Sequence, residues 1–197
     1  MPFAGFEHIK HPQPADRNAY KNYTCGHCGN KVTGFIVANY DYGSTVDWLI
    51  CPSCGDGSVY SSSHQIYPGS LFGPELQGLP VVVREAYTEM RNCMSVNAFT
   101  ASELLCRKIL MHISVEKGAK EGGSFESYID FLEKNGYITP PMKMWVDLIR
   151  EHGNEATHLL EAPDSTRAQS TALFTVQLLR LVYEMKHIAD NFPPKRK

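Results

Sequence analysis

Two groups of residues in this chain have the types and spacing that chemistry requires. The first is a pair of Cys-x-x-Cys-Gly runs, Cys25-Gly26-His27-Cys28-Gly29 and Cys51-Pro52-Ser53-Cys54-Gly55. Four thiolates close a tetrahedral site around zinc and leave no position for a substrate. The glycine after each pair lets the turn take positive φ, so that backbone N–H groups point at sulfur. Cys25, Cys28, Cys51 and Cys54 are therefore the expected ligands of a structural Zn2+ ion. The rival reading is a redox dithiol or a set of free thiols, which tight stoichiometric zinc would remove. His27 and His64 are either substitute ligands or ordinary surface histidines.

The second group is Arg150, Asn154 and His158, spaced at steps of four within WVDLIREHGNEATHLL, residues 145–160. On a helix such steps stack side chains along one face, each about one turn beyond the last. Val146, Ile149, Leu159 and Leu160 supply the apolar side of that helix. Gly153 and Asn154 are poor mid-helix residues. Their presence makes sense if the Asn side chain is wanted there with no Cβ beside it. An imidazole titrates near neutrality and can move protons, and a guanidinium fork can grip phosphate. The same stripe can equally be a structural hydrogen-bond network that sets helix packing or seals an interface.

These groups need elements to hold them. Between the cysteine pairs lie two β-rich runs, 31–38 and 45–50, joined by a turn over 39–44. Two knuckles on a hairpin make a zinc ribbon over 21–60, preceded by a proline-bearing arm over 1–20. A stretch rich in Ser, Pro and Gly over 61–78 reads as a linker. From Leu79 the pattern is helical. Pro80 opens a first helix, Val81 to Asn92. Ser95 or Asn97 caps a second, which runs through Leu104, Leu105, Ile109 and Ile113 to Lys117. A third begins at Ser124 and stops at Asn135-Gly136. Pro140-Pro141 opens the helix with the polar stripe, and Pro163-Asp164-Ser165 separates it from a last helix. In that last helix Leu173, Val176, Leu179, Leu181, Val182 and Ile188 are expected mostly to face inward. The expected class is α+β, mainly α: a small β ribbon, then an antiparallel helical bundle over 79–190, then a basic tail over 191–197. Cys93 and Cys106 read as buried structural thiols.

Composition narrows the function classes. The chain has 197 residues, 43% of them hydrophobic, enough for a real core. Its net charge of -2 excludes the global basic field of many nucleic-acid binders, though not a local patch. No stretch approaches membrane-span length and the N-terminus has no apolar signal core. Four of the six cysteines sit in metal-type pairs, which points to a reducing compartment. The expectation is a soluble, cytoplasmic protein with no membrane partner.

Residues from about 79 to 190 resemble the HEPN superfamily of helical domains. The likeness is to an uncharacterised branch found alone, behind a zinc ribbon, or fused to restriction-type proteins. It is carried by Ala101 to Leu110 (ASELLCRKIL), by Asp130-Phe131-Leu132 with Gly136-Tyr137-Ile138, and by Ile149-Arg150 with the run Gly153 to His158. Active members are metal-independent ribonucleases with Arg, a polar residue, three variable residues and His. On this chain His158 matches the His and Asn154 the polar residue, whereas Gly153 stands at the Arg position, with Arg150 one turn earlier. The resemblance implies His158 as general base or acid, Asn154 as orienting group, and Arg150 as the cation near the phosphorane. It also implies a homodimer in which two such helices form a composite site.

Two functional readings follow. One is a nucleic-acid-directed protein of a defence or toxin type, whose ribbon grips RNA or DNA while the bundle cuts or senses it. Tyr40, Tyr42 and Trp48 would then stack on bases, although few lysines flank them. The other is a non-catalytic module, whose ribbon docks a protein partner while the bundle dimerises or binds a small ligand such as a nucleotide. Arg107 and Lys108 either add positive charge near the stripe or snorkel from the second helix.

Overall fold

The computed structural model describes residues 8–14, 16–41, 45–147, 149 and 162–193. The chain forms two compact units, Met1–Phe72 and Gly73–Lys197.

The first unit is built on a six-stranded antiparallel sheet. Its strands are β1 (Ile9–Lys10), β2 (Tyr20–Thr24), β3 (Lys31–Asp41), β4 (Thr45–Ile50), β5 (Gly57–Tyr60) and β6 (Ile66–Tyr67). The order is β1-β3-β4-β5-β6, and β2 pairs with β3 as well. Strand β3 is long because two partners share it: β2 runs along Lys31 to Phe35, and β1 meets Asn39 and Tyr40. Pairing of β3 with β4 shifts register between Ile36 and Ala38, a bulge of the kind that bends a strand. Strand β1 lies in the stretch read as an arm, and β6 in the stretch read as a linker. Two-residue strands are too short to show a period of two, so pairing alone reveals them.

Alternation separates the two faces of the sheet. Asp47 and Leu49 point inward, while Trp48 and Ile50 remain partly exposed. Tyr23, Ile36 and Leu49 form a small core with Cys25 and Cys51. Asp47 is 4% exposed and accepts a bond from Lys21 Nζ, which also lies 4.0 Å from the Tyr60 ring centroid. A charge so buried needs such a partner.

The second unit contains α1 (Val81–Ser95), α2 (Phe99–Glu116), α3 (Phe125–Lys134), α4 (Ser165–Leu179) and α5 (Met185–Asn191). A π-helical turn, Arg180–Glu184, joins α4 to α5. Residues 143–147 are also helical, after a 3-10 turn at Pro140–Met142. Helix α2 packs against α1, α3 and α4 and so forms the centre of the unit. Its inward side, including Cys106, Ile109, Leu110 and Ile113, is buried with Phe174, Leu178 and Leu179 of α4.

The starts of α1, α3 and α4 follow local chemistry. Pro80 precedes the first residue of α1, and the Ser124 and Asp164 side chains accept from Ser127 N–H and Arg167 N–H. The start of α2 departs from expectation. Its cap is Ala98, which lacks a capping side chain; Ser95 Oγ bonds back to Asn92 O, and Asn97 takes φ 61° at the turn. Asn tolerates the left-handed region that this tight reversal needs. Two residues of the last helix expected mostly to face inward lie outside the interior, and in α2 Leu104 is 60% exposed beside a half-buried Leu105. The two in the last helix are Leu173 and Ile188, and Ile188 lies beyond the π-helical turn Arg180–Glu184, which shifts the facing of α5 relative to α4.

Candidate metal centre

The two cysteine knuckles repeat one local structure. Cys25 N–H donates to Asn30 O and Gly29 N–H to Cys25 O; Cys51 N–H donates to Asp56 O and Gly55 N–H to Cys51 O. Gly29 and Gly55 have φ of 73° and 80°, where any side chain would be strained. The first knuckle sits between β2 and β3, the second between β4 and β5, so the sheet brings the two turns together.

The four sulfur atoms of Cys25, Cys28, Cys51 and Cys54 all lie within 4.8 Å of one another. Cys25 Sγ is 3.8 Å from Cys54 Sγ, and Cys28 Sγ is 3.8 Å from Cys51 Sγ. Those gaps are far too long for disulfides, whose S–S length is about 2.0 Å. A tetrahedron with metal–sulfur bonds of about 2.3 Å has an edge of about 3.8 Å. The donor set therefore fits a tetrahedral, thiolate-bound metal ion, with every position filled by protein.

The electrostatics agree with this fit. Desolvation opposes ionisation of Cys51, but the N–H groups of Cys54 and Ser53 and the thiols of Cys54 and Cys25 bring its pKa down to about 7. Burial raises Cys25, against the N–H groups of Cys28 and His27 that favour its thiolate. Cys54 gains a bond from the Asp56 N–H, yet desolvation, the Asp56 side chain and the neighbouring sulfurs push it up to about 12. One thiol ionises readily and its neighbours resist, because thiolates this close repel unless a cation lies among them.

The histidines are elsewhere. His27 Nε2 lies 3.0 Å from Gly57 O, and the His64 ring packs edge-on to Tyr60; neither belongs to the sulfur cluster. Asn30 Nδ2 donates to Ser53 Oγ at 2.7 Å and ties one knuckle to the other. Tyr23 is the contributor that cysteine spacing does not reveal. It packs beside Cys25 and Cys51, and burial, with the nearby thiolates, raises its hydroxyl above the usual tyrosine range.

Arg150, Asn154 and His158 lie outside the described residues, as do Gly153, Leu159, Leu160 and Tyr42. Of that helix's expected apolar side, Val146 and Ile149 are described and both are buried. Arg107 stacks over the Phe125 ring at 4.5 Å, whereas Lys108 is exposed. Cys106 is fully buried; burial drives its pKa up to about 12, which leaves an inert thiol. Cys93 is raised too, first by burial and then by Glu89. In the helical unit the polar feature absent from the sequence reading is Glu103, 7% exposed, which accepts from Arg167 Nε at 3.1 Å. Its partners stand too far apart in the chain for any local pattern to link them.

A cysteine-knuckle sheet followed by a helical unit is thus the class of architecture. Residues 88–195, more than half of the chain, match the family described as "Domain of unknown function (DUF4145)", and the chain belongs to that family. No curated protein and no solved structure matches it. Among the described residues no helix is long and apolar enough to cross a membrane.

Proposed function

We propose that the ribbon holds a structural Zn2+ ion and that the helical unit is a HEPN-like domain acting on RNA as a metal-independent endoribonuclease of a defence or toxin type. The observation that carries the zinc assignment is the cluster of four sulfurs within 4.8 Å of one another, two pairs of them at 3.8 Å, which offers no open position for chemistry. Any reaction then falls to side chains of the helical unit. Arg150, Asn154 and His158 have the types it requires. His158 takes the 2′-hydroxyl proton or supplies one to the leaving oxygen, Asn154 orients it, and Arg150 steadies charge on the phosphorane. The buried Val146 and Ile149 support an inward side for that helix, beside which the stripe runs at helical spacing. A second copy of the chain completes the site, and the ribbon presents the substrate or a protein partner.

A second reading, a non-catalytic module for dimerisation or for binding a ligand or protein, is favoured by Gly153 at the Arg position and by the near-neutral charge. One assay separates the two. Purified protein and His158→Ala are incubated with mixed RNA in mild chelator. Cleavage that persists in chelator and disappears in the variant supports the ribonuclease. Equal residual cleavage in both is contamination, and no cleavage under any condition leaves the module.

A further inference from the structure

The pairing register of the ribbon sorts its side chains onto two faces of one sheet. One face carries Tyr23, Ile36 and Leu49 and packs against the cysteines. On the opposite face Tyr20 of β2, Phe35 of β3 and Ile50 of β4 stand abreast. About 7 Å further along the strands, Ala38, Trp48, Val59 and Tyr67 form a second row from β3 to β6. This face is open: Tyr20 is 42% exposed, Trp48 37%, Ile50 44% and Tyr67 38%. Tyr20 and Phe35 already lie ring beside ring, with centroids 5.5 Å apart. Tyr40 is on the same face but half-buried, with the His8 ring edge-on to it.

Charge also divides between the faces. Asp41 and Asp47 belong to the cysteine face, where they pair with Lys10 and Lys21. The strands of the open face carry no carboxylate among the described residues. They do carry Lys31, which is exposed and makes no ion pair among the described residues. Arg17, in the turn that leads into Tyr20, is likewise exposed and in no such pair.

We propose that this open face is the platform on which the ribbon holds single-stranded RNA. The inference rests on the ribonuclease reading and names where its substrate lies. Unpaired bases stack on exposed aromatic rings with little regard to sequence, whereas a duplex keeps its bases stacked on each other. Trp48, Tyr67 and Tyr20 supply the rings, and Lys31 and Arg17 supply cations for phosphate. The argument is charge complementarity: a chain of phosphates meets cations and no carboxylate on this face, and paired lysines on the other. A protein partner could cover the same rings, but nothing about it calls for the unpaired cations.

The test is binding of a short labelled oligouridylate, read by fluorescence anisotropy. The full zinc-loaded chain carries His158→Ala throughout, so that no cleavage interferes. Trp48→Ala and Tyr67→Ala each weaken binding by about tenfold or more, and Trp48→Phe, which keeps a ring, retains most of it. Lys31→Gln makes the slope of log affinity against log salt shallower by about 0.7, the share of one phosphate contact on a single strand. Lys10→Gln, on the cysteine face, changes neither affinity nor slope. Duplex RNA competes poorly. Unchanged zinc content and melting temperature show that the variants are folded. Absence of binding overturns the inference, and so does binding that ignores both aromatic-to-alanine changes or takes duplex equally well. The two readings fail separately. RNA cut by the wild type with no dependence on Trp48 removes this platform alone, and Trp48-dependent binding without cleavage by the wild type removes the ribonuclease alone.

Discussion

The two units reach stability by different routes. In the ribbon the buried cluster is Tyr23, Ile36 and Leu49 around two cysteines, with partly buried neighbours. In the helical unit α2 alone buries Cys106, Ile109, Leu110 and Ile113, and α4 adds Phe174, Val176, Leu178 and Leu179. A core as small as the ribbon's does not offset the loss of chain entropy by burial alone, and on the proposed zinc assignment metal coordination supplies the remainder. The helical unit draws on packing. The contrast teaches where each unit is vulnerable: one to a change at a single atom, the other to a change in volume.

The largest expected effect tests the first half of that contrast. Structural zinc contributes on the order of 10 kcal/mol to domains of this kind, more than the whole stability of a small sheet. Cys51→Ser, or strong chelation, therefore unfolds the ribbon and leaves the helices folded. The ribbon's amide NMR dispersion collapses while helical circular dichroism remains. Loss of both signals together would mean that the units fold as one and would end the comparison. Acid does the same work more gradually. Cys25, raised by burial, and Cys54, raised to about 12, must both lose protons to bind metal. Affinity thus falls as pH falls, on the order of tenfold per unit for each proton released, so these two thiols alone give about a hundredfold. Competition titrations against a chromophoric chelator at several pH values give the slope.

The second half is tested at Phe174, a large side chain with no exposed surface. Phe174→Ala removes its contacts and leaves a cavity, at a cost of about 3–5 kcal/mol. Denaturant titration of the helical signal should show that loss while zinc stoichiometry stays unchanged. A zinc site that weakened in this variant would couple the units energetically and blunt the distinction between them.

The same contrast explains what could be read in advance. The ribbon was legible because its chemistry is local: two five-residue runs carry the donors, the turn glycines and the spacing together. Its sheet was only partly legible, since β1 and β6 are too short to carry a period. In the helical unit the start at Pro80 was legible because proline's fixed φ suits a helix opening, and those at Ser124 and Asp164 because side-chain capping is a contact over three residues. The start of α2 was not, because Ala98 caps nothing and the reversal rests on the backbone of Asn97. Glu103 with Arg167, and Lys21 with Asp47, join strands or helices far apart in sequence, and no periodicity encodes such a pair. The exposed Leu104 shows the same limit: adjacent Leu178 and Leu179 are both buried while Leu104 is not, so which side of a helix faces the core depends on its neighbours rather than on its own sequence. The Arg150, Asn154 and His158 stripe falls outside the described residues and rests on spacing and resemblance alone.

The smallest effect sharpens the comparison from inside the helical unit, at a polar cluster near the end of α2. Glu116 accepts from Lys117 Nζ at 2.8 Å and from the Tyr183 hydroxyl, with His112 4.0 Å away. Partial burial works against its charge, but the bonds from Lys117 and Tyr183 prevail and hold its carboxyl below the usual value. Burial and Glu116 raise the Tyr183 hydroxyl in turn, so Tyr183 remains the donor. A lowered carboxylate stabilises the fold above its unfolded pKa, and that contribution is lost as pH falls through the folded value. Glu116 is about a third exposed, so Glu116→Gln should cost only about 0.5–1 kcal/mol at neutral pH. The difference in melting temperature between variant and wild type should shrink toward zero in acid, where both carry a neutral group at this position. Acid also strips metal from the ribbon, but equally in both proteins, so the difference isolates the helical unit. A gap that stayed constant across the acid range would assign the loss to packing rather than charge. The cluster would then belong with Phe174 as a volume-dependent site.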